Sequence, residues 1–146
     1  MIKLSTGMRQ GLAITGSLKE LLDGGYLRIY SGTVPANSDA SIGSAVLLVE
    51  ISDGGSGDLL HFEATATGGV LSKAVGETWV GTTNVAGTPT FFRYVLDGDV
   101  GDASTSAVRF QGTAGALGND MFIDSLPLTV SQPVSFPLFQ IAIPEQ

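Results

Sequence analysis

The sequence predicts an all-β chain, a jelly-roll-like β-sandwich with one or two short helices at its N-terminus. Three observations carry this expectation. Charged residues make up 14% of the 146 positions, hydrophobic residues make up 43%, and there are 20 glycines. An average globular domain is about 25% charged, so this is a composition of short strands and tight turns. Helical spacing of apolar residues is confined to the first 25 positions. From Tyr26 onward apolar residues alternate or run in short stretches, with turn signals roughly every dozen residues.

The helical part comes first. Ser5 can cap a short helix holding Met8, Leu12 and Ala13, although Gly7 and Gly11 within it each cost about 1 kcal/mol relative to Ala. Ser17-Leu18-Lys19-Glu20 fits a capping box, in which the Ser17 hydroxyl accepts from the Glu20 N–H and the Glu20 carboxylate reaches back to Ser17. Leu18, Leu21 and Leu22 then form an apolar stripe, and Gly24 and Gly25 supply a left-handed stop.

The strands follow. Residues 26–30 read as a half-buried strand, with Leu27 and Ile29 facing one way and Tyr26, Arg28 and Tyr30 the other. Residues 31–40 form a loop. Residues 45–51 are apolar on both faces until Glu50 and read as a central strand. A Gly-rich turn at 52–58 precedes a short strand at 59–62. Further strands are expected at 77–83 around Trp79, and at 88–96 with Phe91, Phe92, Tyr94 and Val95. After an acidic turn at 97–102, residues 108–113 alternate, 115–119 turn, and 121–124 and 126–130 are short strands. Residues 135–143 close the domain, with Phe139, Ile141 and Ile143 on one face. Pro137 marks an edge strand or moves its start. The organisation is thus a helical segment, residues 1–25, packed on or extending from a single β-sandwich domain, residues 26–146.

Chemistry is sparse. The chain has no cysteine, so thiol and disulfide chemistry is excluded. Its one histidine, His61, sits in a strand pattern with no G-x-S-x-G nucleophile elbow anywhere in the chain. Asp97, Asp99 and Asp102 are spaced like part of a calcium loop, but the closing bidentate Glu is missing, which favours an acidic turn. Glu50, Glu63 and Glu77 could pair for glycosidase chemistry only if the fold set two of them at the right separation. Gly54-Gly55-Ser56-Gly57 lacks the Lys-Ser/Thr ending of a phosphate-binding loop. Trp79, Phe91, Phe92 and Tyr94 could stack on sugars, but aromatic residues at strand spacing read first as core. The expectation is a non-enzymatic protein with no catalytic, cofactor-binding or metal residue.

Partners are bounded in the same way. A net charge of −7 and no basic stripe argue against nucleic acid. Apolar runs such as 45–49 are far too short to cross a bilayer, and the opening residues lack a signal-peptide core. The expectation is a chain made and folded in a cytoplasm, without membrane contact. Exposed strand edges need cover, which suits a homo-oligomer, a dimer or a trimer.

Several blocks resemble a family of small structural proteins of tailed bacteriophages. They are Leu4-Ser5-Thr6-Gly7-Met8-Arg9, Gly16-Ser17-Leu18-Lys19, and Gly24-Gly25-Tyr26-Leu27-Arg28-Ile29-Tyr30 continuing to Ala36. Residues 69–79 and 98–105 extend the likeness. The family is similar to capsid cement or decoration proteins, some with jelly-roll-like folds. The resemblance implies a virion protein on the capsid surface that stabilises the head by bridging major capsid protein subunits, and it implies no catalytic residues. Such a protein needs a rigid body and adaptable arms, for which residues 1–25 and the tail Pro144-Glu145-Gln146 are the candidates. A tail, baseplate or head-fibre component is the alternative within the virion, and a carbohydrate-binding β-sandwich module the alternative outside it.

Overall fold

A computed structural model describes residues 1–143. The tail considered above as an arm lies outside the described residues. The chain order is β1 (Lys3–Leu4), α1 (Thr6–Ile14), α2 (Leu18–Leu22), β2 (Gly25–Ser31), β3 (Val46–Asp53), β4 (Val70–Ser72), β5 (Trp79–Thr82), β6 (Phe91–Leu96), β7 (Arg109–Gly115), β8 (Met121–Phe122), β9 (Pro133–Phe136) and β10 (Gln140–Ala142). The fold is all-β with two short N-terminal helices. One large sheet has the order β1-β7-β6-β2-β3-β5-β9, with β8 running parallel to the end of β7 and every other pairing antiparallel. A small sheet pairs β10 with β4.

The large sheet has two differently built faces. Period-two alternation puts Leu27 and Ile29 of β2, Phe92 and Tyr94 of β6, and Phe110 of β7 on one face, and all are buried in the main hydrophobic cluster. The small sheet closes that face. Leu71 of β4 belongs to the cluster, and Phe139, just before β10, packs against Phe62, Trp79 and Phe110 at ring-centroid distances of 6.4, 5.1 and 6.4 Å. The alternation read at 26–30 and 108–113 matches this face.

The opposite face carries a row of polar side chains in register: Glu50, Arg28, Arg93 and Gln111 on β3, β2, β6 and β7. Two loops fold over this row. Arg93 donates to the carbonyls of Ala40 and Asn37 and to Gln111 Oε1, and Gln111 donates to the carbonyl of Pro35. Arg93 is fully buried, and among the described residues no carboxylate pairs with its guanidinium. Arg28 and Arg93 face each other, a repulsive pairing in a sheet. Glu50, 2.6 Å from Arg28, offsets the charge of one, and carbonyl dipoles solvate the other.

The N-terminal segment belongs to the body. Ser5 caps α1 as the sequence predicts, and its buried hydroxyl also accepts from the Arg109 N–H and donates to the Ala107 carbonyl. Gly7 passes so close to residues 106 and 107 that a Cβ there would meet the Ser106 oxygen at 2.3 Å. β1 pairs with β7, and Met8, Leu21 and Leu22 are buried. Residues 1–25 thus pack on the domain and are not an adaptable arm. Their hydrogen bonds reach β7 and the loop before it, the loop after β2 at Ala36, Ser38 and Asp39, and Phe62.

The capping box of α2 is present in both directions. Its stop differs in detail: Asp23 is the C-cap and Gly24 alone is left-handed, at φ +86°, while Gly25 already belongs to β2. Tyr30 stays on the same face as Arg28, as the sequence predicts, but is buried there, with its ring stacked on Phe91 at 4.9 Å. Residues 59–62 and 126–130 make isolated bridges in place of strands, at Leu60, Phe62 and Leu128. Residues 135–143 divide at Pro137 between β9 in the large sheet and β10 in the small one. Among the described residues no helix is long and apolar enough to cross a membrane.

Candidate functional site

The residues considered for chemistry fall into separate structural contacts. Glu77 Oε2 accepts from the His61 backbone N–H at 2.9 Å and from Trp79 Nε1 at 2.7 Å, while Oε1 lies 2.7 Å from His61 Nδ1. One carboxylate thus ties a half-exposed imidazole to a buried indole. Glu63 accepts from the Val75 N–H, and Glu50 is held by Arg28 on the far face of the sheet. The three glutamates therefore serve three different neighbourhoods.

The acidic turn at 97–102 is organised by a cation. Both oxygens of Asp99 accept from Arg109, at 2.5 and 2.7 Å, and Oδ1 also accepts from the Gly101 N–H. Arg109 donates further to the Asp102 carbonyl. Burial pushes the Asp99 carboxyl upward, but the hydrogen bonds from Arg109 and Gly101 outweigh it and hold the group below its ordinary value. Among the described residues no three His, Cys, Asp or Glu side chains gather to hold a metal. Trp79, Phe91, Phe92 and Tyr94 are all buried, so they form no platform for a sugar.

A larger hollow than the one beside the acidic turn lies elsewhere. A recess of about 740 Å³ opens between the N-terminal elements and the run 136–143. Ile2 and Leu4, around β1, and Met8 and Leu12 of α1 line one side. Leu138, Ile141 and Ile143 line another, with Phe122 of β8 beside them. Its floor reaches Phe92 and Phe110, so it is continuous with the core. Among the described residues that line it, Asp120 is the one with an ionisable side chain. Burial pushes the Asp120 carboxyl upward, but the Met1 amino group and the Thr113 N–H and hydroxyl more than offset this and hold it low.

No family model, curated protein or solved structure matches the chain.

The local sequence explains how the recess forms. Pro137 breaks the closing strand, which turns Phe139 into the core and leaves its neighbour Leu138 outside, 66% exposed. Phe122 on the two-residue β8 is 53% exposed. A recess walled by Leu, Ile, Met and Phe offers dispersion and desolvation, and little hydrogen bonding. That chemistry retains apolar side chains of a partner. Sequence reasoning did not single out these residues, because strand and helix periodicity mark what is apolar and not which apolar residue remains outside.

Proposed function

We propose that the chain is a structural subunit of a tailed-phage particle, a decoration protein that stabilises the head by bridging major capsid protein subunits. One observation carries the reading: the apolar recess, rimmed by large hydrophobic side chains left in water. Exposed contiguous apolar surface of this kind marks contact with another macromolecule. Its setting supports the same reading. The body beneath is closely tied, with the N-terminal segment and the loops at 33–45 and 97–107 hydrogen-bonded to the large sheet. The resemblance of several sequence blocks to small phage structural proteins suggests the virion context. Many copies on a lattice turn weak individual contacts into firm retention, and preferential binding to the assembled shell raises its stability by linkage.

The test is addition of purified protein to expanded heads that lack it. The reading expects saturable co-sedimentation with the heads and a higher temperature for shell disruption. Protein that stays in the supernatant at every concentration contradicts it.

A further inference from the structure

We infer that Asp97 and Gly98 form a site of spontaneous covalent modification, at which Asp97 converts to isoaspartate. Asp-Gly pairs occur in the chain at Asp23-Gly24, Asp53-Gly54 and Asp97-Gly98. A glycine after aspartate leaves the next backbone nitrogen unshielded and the chain free to turn. That nitrogen can attack the side-chain carboxyl carbon. A C–N bond forms, the nitrogen gives up its proton, and the carboxyl oxygen leaves as water, closing a succinimide ring. Water then adds at the former main-chain carbonyl and breaks the original Asp–Gly C–N bond. The main chain now runs through the side-chain carbons, and the old main-chain carbonyl is a free carboxylate. Water is the only co-reactant, and mass and formal charge are unchanged.

The fold ties down two of these pairs and leaves the other open. Asp23 accepts from the Phe62 N–H and pairs with Lys19, while the Gly24 N–H donates to the Leu60 carbonyl at 2.9 Å. Asp53 Oδ1 accepts from the Thr78 N–H at 2.7 Å, and the Gly54 N–H donates to the Thr78 carbonyl at 2.8 Å. At both places the attacking nitrogen and the attacked carboxyl must first give up a partner. Asp97 and Gly98 sit in the exposed turn after β6, with Gly98 at φ +80°. Among the described residues neither the Asp97 carboxylate nor the Gly98 N–H makes a hydrogen bond. The turn is held only at its flanks, by Asp97 N–H to the Gly24 carbonyl at 3.3 Å and Asp99 N–H to the Leu96 carbonyl at 3.2 Å. Conversion adds a main-chain carbon just before Asp99, and so displaces the carboxylate that Arg109 holds at 2.5 and 2.7 Å.

Incubation of the full chain in mildly acidic buffer over weeks tests the inference. Because mass does not change, peptides are mapped by electron-transfer fragmentation, which cleaves isoaspartate distinctively. A hydrogen bond that must break first slows a rate about fivefold, so isoaspartate should accumulate at Asp97 about tenfold faster or more than at Asp23 or Asp53. In urea all three sites should react at similar rates. Asp97→Glu, whose longer side chain must close a larger ring, should lose the product at that position and keep the two slow ones. Equal rates at the three sites in the folded protein, or a lead for Asp97 that persists undiminished in urea, overturns the inference. The converted fraction should also melt below the unmodified protein, and equal melting overturns the link to Asp99.

Discussion

Asp99 and Arg109 form a two-pronged ion pair, at 2.5 and 2.7 Å, with both side chains almost wholly removed from solvent. The pair joins the acidic turn to β7. The same arginine reaches the carbonyls of Ser38 and Asp102, so it also holds the loop after β2. Removing one partner of such a pair leaves the other charge buried, which costs about 3–5 kcal/mol. Asp99→Asn is therefore expected to lose stability on that scale in urea unfolding. A loss below about 1 kcal/mol would show that the pair is solvated like a surface one.

Acid should weaken the fold. Asp99, Asp39 and Asp120 are all held below the ordinary carboxyl value, Asp39 through hydrogen bonds from the Thr6 hydroxyl and N–H that outweigh its burial. Across that range the unfolded chain binds more protons than the folded one. Their contribution is then complete above the unfolded value, about 3.9, and is lost as pH falls through the native values. Melting temperature measured from neutral to acid pH should drop in that window, and Asp99→Asn should flatten part of the drop. A melting temperature that rises on acidification would contradict the assignment.

Gly7 offers a test in which two effects oppose. Helix propensity favours Ala over Gly by about 1 kcal/mol. A Cβ at Gly7 would instead meet backbone, the Ser106 oxygen at 2.3 Å and the Ala107 oxygen at 2.6 Å. Overpacking against backbone costs about 1–3 kcal/mol, so Gly7→Ala should destabilise on balance. A stabilised variant would mean that α1 sits further from β7 than described. Deletion of residues 1–16 should likewise lower the melting temperature sharply, since it removes Ser5 and Met8 from the core.

The sequence revealed what depends on near neighbours. Ser17 and Glu20 are three residues apart, and their capping box is legible because both halves lie in one turn. Leu27 and Ile29 alternate within one strand, and their burial is as expected. Arg93 and Arg109 are out of phase with the core residues Phe92, Tyr94 and Phe110. They are buried because the loops at 33–45 and 97–107 fold over them, and nothing in the period of a strand reports a distant loop. The recess was hidden for a related reason. Phe139, Ile141 and Ile143 read as one face, yet Phe139 packs against the core while Ile143 stays 62% exposed.

Trp79 separates two accounts of the aromatic residues. It is 1% exposed, stacks edge-on to Phe62 and donates to Glu77. Trp79→Ala should cost about 3–5 kcal/mol, as expected for a large core side chain. Glu77→Ala should cost about 1–3 kcal/mol, because it leaves the buried indole N–H unpaired. Thermal unfolding of both variants checks this order. A Trp79→Ala protein of native stability that loses binding on a glycan array would restore the sugar-binding alternative.

Quantitative mass spectrometry of purified phage particles encoding this chain tests the proposed role most directly. A decoration protein should be present at a copy number near that of the major capsid protein. Absence from the particles, or a handful of copies that stay with isolated tails, would contradict it.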